Sequence, residues 1–162
     1  MSRTKRVDAL DLALLRLLAT RPKAGMREYA RVLEVARGTV QSRLGRLERL
    51  GVITDYAPQV SSSALGYPVT AFVHIHLAQG QLARVTNALQ VVDEVVEAHS
   101  IAGEGDLLAR VVARDTNHLE DIIQRLLDVP GIVRTRTEIA LTERIHMRST
   151  CVLSMAEPAS DQ

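Results

Sequence analysis

Residues 26–51, which read MREYARVLEVARGTVQSRLGRLERLG, constrain the fold of this chain more than any other stretch. Hydrophobic residues recur there at helical spacing, which predicts two short helices joined by a tight turn. The first predicted helix covers Met26–Leu33, and the second runs from about Arg37 to Leu50, where Gly51 is expected to cap it. Only one side of the second helix is apolar, and that side carries Val40, Leu44, Leu47 and Leu50. Such a tandem is typical of a helix-turn-helix motif.

The other side of the second predicted helix is polar and basic, which suits a nucleic-acid groove. Arginine can bind phosphates or guanine edges, and glutamine can bind an adenine edge. We therefore predict that Gln41 reads a base, whereas Arg43 and Arg46 hold phosphates. The full set of predicted DNA-binding residues is Arg37, Gly38, Thr39, Gln41, Ser42, Arg43 and Arg46. The alternative is a solvated basic helix on any small domain.

The distribution of charge separates the front of the chain from the rest. Of the 162 residues, the first 52 contain 12 Lys and Arg against 5 Asp and Glu, whereas residues 53–162 contain 8 against 14. A basic front and an acidic remainder indicate that only the front meets a polyanion.

Targeting and redox signals point to the cytoplasm. The first ten residues, MSRTKRVDAL, are too polar for a signal peptide, and no apolar run is long enough to span a bilayer. The single cysteine, Cys151, cannot form an internal disulfide, which fits a reducing compartment. Together with DNA binding, these features predict a cytoplasmic, nucleoid-associated protein without a membrane partner.

The chain divides into four predicted segments: a helix-turn-helix domain at residues 1–52, a linker strand and hinge at 53–67, a second domain at 68–150 and a flexible tail at 151–162. Val52–Tyr56 has the composition of a short strand, and the APQVSSS that follows has the composition of a linker. At the N-terminus, a basic arm with Arg3, Lys5 and Arg6 is expected to add phosphate contacts, unless it is merely a disordered terminus.

The second predicted domain follows the order βαββαβ. Apolar and polar side chains alternate over residues 69–77, which predicts a half-buried strand. A helix from about residue 82, strands at 95–102 and 107–114, a helix around 119–127 and a strand at 132–141 follow. This order is the ferredoxin-like plan, so the predicted fold class is α+β. Both helices are expected on one face of the sheet, which leaves Phe72, His74 and His76 on the other, where a second copy would cover them.

Two polar groups in the second domain are candidate binding sites. The loop before the third strand consists of Gly103, Glu104, Gly105 and Asp106. Its N–H groups can bind a carboxylate and its acids an ammonium group, although a plain hairpin turn explains the same residues. Thr135 and Thr137 lie on one face of the last strand and offer hydroxyl groups, or are ordinary β-branched strand residues.

The sequence contains no pattern that is typical of a metal site or a catalytic site. His74 and His76 supply only two nitrogens, and no third ligand stands near them in sequence, so no metal is predicted. There is no Ser/His/Asp set, P-loop or nucleotide-binding glycine motif. We therefore predict no enzyme activity and no cofactor.

The order of these elements and two segments resemble the Lrp/AsnC, or feast/famine, family of transcription regulators. The segments are RLGRLERLGVI at residues 43–53 and VPGIV at 129–133, which TRT follows at 135–137. The resemblance covers roughly residues 8–148. It implies a winged-type helix-turn-helix on double-stranded DNA, a RAM/ACT-like second domain, and homodimers that can join as an octamer of four dimers. It also implies an amino-acid effector between dimers, at Gly103–Asp106 with Thr135 and Thr137 of a neighbouring chain.

Two departures from the family pattern affect these sites. The turn before the recognition helix reads Glu34-Val35-Ala36 instead of Gly-Leu-Ser. Ala36 therefore offers no side-chain cap, and Glu34 occupies a position that favours glycine. In the loop, Gly105 and Leu107 replace two aromatic residues that are usual in the family, which predicts a wider pocket or a weaker grip.

Two other functions remain open on the sequence. Tetrapyrrole (sirohaem) decarboxylases are similar to this family, but residues 62–67 contain no His or Arg, and an acidic back half suits a polycarboxylate substrate poorly. An assembly module without DNA binding is favoured by Glu34 and Ala36, and the basic front of the chain opposes it.

Overall fold

Three helices form the N-terminal part of the described chain, and the second and third are those that the sequence predicts. The computed structural model describes residues 7–158, except for the side chain of Ser149. Helix α1 spans Ala9–Thr20, α2 spans Met26–Val32 and α3 spans Arg37–Arg49. Their apolar faces meet in one core, whose buried members are Leu14, Leu15, Tyr29, Ala30, Val40, Leu44 and Leu47.

Helix α3 ends in a glycine turn. Gly51 has a φ of 61°, and its N–H donates to the carbonyl of Glu48 over 2.8 Å. The next N–H, of Val52, donates to the carbonyl of Leu47 over 2.9 Å. These two bonds make a Schellman motif, which confirms that the helix stops at the predicted glycine.

The strand predicted at Val52–Tyr56 is absent, and that prediction was wrong. Ile53 and Val52 instead pack against the helical core. The carboxylate of Asp55 accepts hydrogen bonds from the N–H groups of Tyr56 and Ala57 over 2.7 and 3.0 Å. An Asx turn of this kind diverts the backbone from an extended path, so the apolar residues are buried without strand pairing.

The second part of the chain contains one antiparallel sheet and two helices. Its elements are β1 (Val69–Leu77), α4 (Leu82–Leu89), β2 (Val95–Ser100), β3 (Leu107–Ala113), α5 (Thr116–Leu127) and β4 (Ile132–Ala140). The strand order in the sheet is β2-β3-β1-β4, with antiparallel neighbours. This is the predicted ferredoxin-like plan, and together with the three front helices it gives an α+β fold.

The two faces of the sheet differ in chemistry. One face packs against α4 and α5 in an aliphatic core that includes Ala71, Val73, Ile75, Ala109, Val111, Val85, Leu89, Ile122 and Leu126. The register places the alternate residues on the other side, which we call the open face. The open face carries Phe72, His74 and His76 of β1, Leu108 and Arg110 of β3, and Arg134, Arg136 and Glu138 of β4.

The C-terminal segment differs from its prediction. Residues 151–162 were expected to be flexible, but helix α6 spans Ser149–Met155 and packs against α1. Leu153 contacts the helical core, and Arg16 donates to the carbonyl of Leu153 over 3.1 Å. Burial of that leucine against α1 is the physical reason for the helix, because it removes apolar surface from water. Residues 159–162 and the predicted basic arm at Arg3, Lys5 and Arg6 lie outside the described residues.

The described chain separates into two compact units. The helical unit comprises residues 7–58 and 145–158, and the sheet unit comprises residues 59–144. The boundary after Pro58 falls inside the hinge predicted at 53–67, whereas residues 145–150, which the sequence assigned to the second domain, group with the helices. Within residues 7–158, no helix is both long and apolar enough to cross a membrane.

Candidate nucleic-acid interface and ligand loop

The first two turns of α3 expose most of the residues predicted to bind DNA. Arg37, Gly38, Gln41 and Ser42 are exposed, and Thr39 is half-buried. No side chain caps the helix at Ala36, as the sequence predicts. The N–H groups of this turn and the positive end of the helix dipole are therefore directed to a surface where an anion is favoured.

The turn between α2 and α3 forces Glu34 into the left-handed region. Its φ is 54°, which makes it the only non-glycine residue with a positive φ in residues 7–158. The N–H of Val35 donates to the carbonyl of Ala30 over 3.0 Å and closes the turn. An L residue is strained in this conformation, so the turn carries the cost that the sequence predicted.

Arg43 and Arg46 form ion pairs within the chain, which the sequence pattern did not predict. Arg43 forms an ion pair with Asp8 and a second one with Asp11, over 3.0 Å in the latter case, and Arg46 pairs with Asp11. We call these four residues the acid–arginine cluster. The Asp11 side chain is fully buried, whereas 29% of Arg43 and 38% of Arg46 is exposed. The cluster joins the start of α1 to the middle of α3.

The two acids of the acid–arginine cluster also begin α1. The Asp8 carboxylate accepts from the Asp11 N–H over 2.9 Å, and the Asp11 carboxylate accepts from the Asp8 N–H over 3.2 Å. This reciprocal pair is a capping box. Partial burial by itself would raise the pKa of Asp8, but hydrogen bonds from Arg43 and the Asp11 N–H lower it below its usual value. The bonds to Asp8 and then to Asp11 raise the pKa of Arg43.

A sequence signal for the acid–arginine cluster was available. Asp8 and Asp11 are three residues apart, and so are Arg43 and Arg46. Residues at that spacing share one face of a helix, so two acids on one helix match two bases on another. The periodicity of α3 assigned Arg46 to the polar side of the helix, because periodicity shows which residues lie away from the apolar stripe and not which polar partners they meet.

The predicted ligand loop is tied to the first strand by Asp106. Its carboxylate accepts from the N–H of Leu77 over 2.8 Å, and its own N–H donates to the carbonyl of Ile75 over 2.9 Å. Gly103 and Gly105 have φ values of 127° and 96°, which only glycine adopts readily. The loop is thus a built turn over the end of β1, in which one of the two predicted acids already has a backbone partner.

The other acid of the loop faces the open side of the sheet. Glu104 accepts from Arg136 over 2.8 Å, and its carbonyl lies 3.2 Å from Nδ1 of His74. Thr135 and Thr137 stand opposite Ile75 and Val73 on β1, which places them on the helix-covered face. Within one chain, the two threonines and Glu104 therefore lie on opposite faces of the sheet.

The open face carries ion pairs that the sequence did not predict. Arg136 also binds Glu138 over 2.8 Å, and Arg110 binds Glu97 over 3.3 Å. A shallow depression of about 170 Å³ lies there, lined by Phe72, Glu97, His99, Leu108 and Arg110. Arg110 and Glu97 lie on neighbouring strands, so only the strand register reveals their pair, whereas Arg136 and Glu138 are two residues apart on β4. No group of three or more metal-ligating side chains occurs among residues 7–158.

Comparisons with known proteins agree with this architecture. The AsnC-type helix-turn-helix domain matches residues 7–48, and the Lrp/AsnC ligand binding domain matches residues 70–150. An uncharacterized HTH-type transcriptional regulator of Pyrococcus abyssi is 32% identical over 139 residues, which cover 85% of this chain and 88% of that protein.

Two solved structures share the fold. AsnC of Escherichia coli superposes with a TM-score of 0.81 at 27% identity, over 88% of this chain and 97% of that one. A transcriptional regulator of Neisseria meningitidis, solved as a complex with L-Met, gives a TM-score of 0.79 at 22% identity, over 88% and 94% of the two chains. The family consists of transcriptional regulators, which favours regulation over the tetrapyrrole chemistry considered above. With a matching domain at each end, the chain belongs to the Lrp/AsnC family of helix-turn-helix transcriptional regulators.

Proposed function

We propose that this regulator reads double-stranded DNA with the exposed side of the first two turns of α3, and that an amino acid at the ligand loop modulates it. The observation that carries the first part is the division of α3. Val40 and Leu44 are buried in the helical core, whereas Gln41 and Ser42, beside them in sequence, are exposed. A helix that is held by one side and offers polar side chains on the other suits a major groove.

The small residue Gly38 supports the same docking. No atom lies within 4 Å of the place where a Cβ on Gly38 would stand, so packing inside the chain does not require a glycine there. Without a side chain, the first turn of α3 allows a close approach of DNA to the backbone. Gln41 then offers its amide to an adenine edge, and Ser42 and Thr39 offer hydroxyls to bases or phosphates.

Exposed arginines are the candidates for phosphate contacts. Arg37 is exposed at the start of α3, and Arg27 is exposed on α2. Arg43 and Arg46, which the sequence suggested for this role, lie against the carboxylates of Asp8 and Asp11. We therefore assign the sequence-independent contacts to Arg37 and Arg27 first.

The test begins with selection of bound fragments from the source genome, followed by footprinting of the best site. We expect Gln41→Ala to relax the preference at one base step, at a cost of about 1–3 kcal/mol for the preferred base. Gln124→Ala, an exposed glutamine on α5, is the matched control and should leave the footprint unchanged. An unchanged footprint and unchanged preference with Gln41→Ala would exclude this docking.

We infer that the effector is an amino acid held at Gly103–Asp106. The loop contains two glycines with positive φ and an acid, Glu104, which forms an exposed ion pair with Arg136. Such a pair exchanges partners at little cost, so the carboxylate of a zwitterion can take Arg136 and its ammonium group can take Glu104. The Neisseria meningitidis regulator, which shares this fold, was obtained with L-Met.

A thermal-shift screen of the standard amino acids tests the effector site. We expect a ligand to stabilise the wild type and to stabilise Glu104→Gln less, because the ammonium contact is lost. Glu120→Gln, an exposed acid on α5, is the matched control. Equal stabilisation of wild type and Glu104→Gln would place the site elsewhere, and the absence of any shift would indicate regulation without an amino acid.

We further propose that the open face pairs with a second copy to form at least a dimer. Phe72 on this face remains 39% exposed, beside two imidazoles and a shallow depression. An apolar ring surrounded by charges of both signs is complementary to its own copy across a twofold axis. Light scattering near neutral pH should give a dimer or a multiple of it, such as an octamer. Phe72→Glu should dissociate the assembly, and a monomeric wild type would contradict the proposal.

A further inference from the structure

The acid–arginine cluster lies on the helix that is proposed to bind DNA, but it turns charge inward. Helix α3 contains four arginines, and two of them, Arg43 and Arg46, are bound to carboxylates of α1. Asp11 is fully buried beneath them and meets both guanidinium groups. Half of the positive charge of the helix is therefore matched by negative charge before any DNA arrives.

Such pairing affects two kinds of DNA binding differently. Binding to any sequence comes mainly from cations that neutralise phosphates, whereas recognition comes from base-edge contacts. A carboxylate that pairs with an arginine lowers the affinity for any sequence and leaves the base-edge contacts intact. If the same carboxylate also fixes the position of the helix, it strengthens recognition, because the side chains that contact the bases are held in one orientation.

We propose that Asp8 and Asp11 are specificity-determining positioning residues: they withhold Arg43 and Arg46 from DNA phosphates and hold α3 against α1. The inference rests on the proposed role of α3 in DNA binding. The geometry supports both actions. The capping box fixes the two carboxylates at the first turn of α1, and Arg43 bridges them. Arg43 and Arg46 are already 29% and 38% exposed, so part of each side chain lies at the surface.

The test compares charge-neutral variants of the acids with a matched control. Asp8→Asn and Asp11→Asn each remove one negative charge and keep an oxygen that can accept the capping hydrogen bond. Glu48→Gln, on α3 itself, removes the same charge from a residue whose partner is the hydroxyl of Tyr56. Asp8 is partly exposed and Asp11 is not, so Asp8→Asn serves as the variant that keeps its fold if Asp11→Asn does not.

Affinity for a random-sequence duplex and for the selected operator is measured in a salt series. Each arginine that reaches a phosphate steepens the slope of log affinity against log salt by about 0.9. Between about 50 and 200 mM salt, this makes the loss of affinity roughly 3.5-fold larger per new contact. We expect the acid variants to bind the random duplex more tightly with this steeper slope, and to show a smaller ratio of operator to random affinity. Glu48→Gln should change the slope less.

A purely structural role gives a different result. Partial unfolding would weaken operator and random binding in the same proportion and leave the salt slope unchanged, and this outcome would overturn the proposal. Retention on heparin gives a second readout that needs no operator. We expect Asp8→Asn to elute at higher salt than Glu48→Gln, and equal elution would also overturn the proposal. A wild type without affinity for any duplex would instead remove the proposed function, while the heparin comparison still decides whether the acids withhold the arginines.

Discussion

The helical unit and the sheet unit hold their interiors together in different ways. In the sheet unit, the buried residues in contact with α4 and α5 are aliphatic, and the ion pairs of Arg136 with Glu104 and Glu138 lie on the open face. In the helical unit, a fully buried carboxylate stands at the contact between α1 and α3 and binds two arginines. The difference follows from geometry, because strands are aligned by backbone hydrogen bonds, whereas two packed helices can slide or rotate until side chains fix them.

The two units should therefore differ in how strongly the loss of an ion pair affects their stability. Strand pairing gives the sheet unit its register without help from charge, so its exposed pairs contribute little to stability. Three short helices lack such a register, and the acid–arginine cluster supplies a directional contact instead. Buried polar contacts of this kind can favour one arrangement over its alternatives, as one proposed use of buried ion pairs.

The largest expected effect is a cavity in either core. Leu47→Ala in the helical unit and Leu126→Ala in the sheet unit should each lower the free energy of unfolding by about 3–5 kcal/mol, because both side chains are fully buried. Urea denaturation followed by circular dichroism measures the change. Leu141→Ala, at a residue that is 94% exposed, is the control and should change stability by less than about 0.5 kcal/mol. A similar small change in either core variant would contradict the assigned cores.

The two kinds of ion pair should separate clearly on mutation. Asp11→Ala leaves Arg43 and Arg46 without their buried partner, at an expected cost of about 3 kcal/mol, the lower end of the usual range because both arginines reach solvent. Glu104→Ala breaks the exposed pair with Arg136 and should cost less than about 1 kcal/mol. Denaturation midpoints of both variants measure the difference, and equal costs would mean that burial of Asp11 has no energetic consequence.

A glycine introduced in one turn should raise stability, whereas a glycine removed from another turn should lower it. Glu34→Gly removes the strain of a positive φ in the helical unit and should stabilise it by about 0.5–1 kcal/mol. Gly131→Ala in the sheet unit should cost at least about 1 kcal/mol, since its φ is 107° and a Cβ would stand 2.8 Å from Cβ of Gln81. Thermal melts of both variants test this, and a destabilised Glu34→Gly would show that the side chain has an interaction that outweighs the strain.

Helix caps offer a similar contrast with a smaller effect. Ala36→Ser should add the missing cap to α3 and raise stability by about 0.5–1 kcal/mol. Asp115→Ala should remove the cap of α5, where the carboxylate accepts from the His118 N–H over 2.8 Å, at a cost of about 1 kcal/mol. Both changes are read from denaturation midpoints. A neutral result for Ala36→Ser would mean that water already satisfies that turn.

The smallest effect is expected from acid titration. Hydrogen bonds from Arg43 and the Asp11 N–H outweigh partial burial and lower the pKa of Asp8, and those from Arg125 outweigh it for Glu94 in the sheet unit. A lowered pKa in the folded state stabilises the protein above the unfolded pKa, about 3.9 for Asp and 4.3 for Glu. That stability is lost as the pH falls through the lower, folded value. Asp8→Asn should flatten the acid dependence of the helical unit and Glu94→Gln that of the sheet unit; an unchanged pH profile in either variant would contradict the assignment.

Much of the architecture was determined by sequence alone, because it depends on local periodicity. The apolar stripe at Val40, Leu44 and Leu47 predicted α3 and its buried side, and Gly51 predicted its end. The alternation over residues 69–77 predicted β1 and placed Phe72 and His74 away from the helices. Glu34 and Ala36 were identified as an unfavourable turn and an absent cap from residue type alone, since both effects arise within a few residues.

Only the tertiary structure decided the features that join distant parts of the chain. The acid–arginine cluster connects residues 32 or more positions apart, so helical spacing could suggest the match but not the contact. The same holds for Glu104 with Arg136, whose meeting depends on strand register, and for α6, which forms because Leu153 finds a surface on α1. The strand expected at Val52–Tyr56 does not form, because Val52 and Ile53 pack against the helical core instead of pairing with a neighbouring strand. Local pattern determines which element a segment favours, and the partners that it meets in three dimensions decide what its polar side chains do.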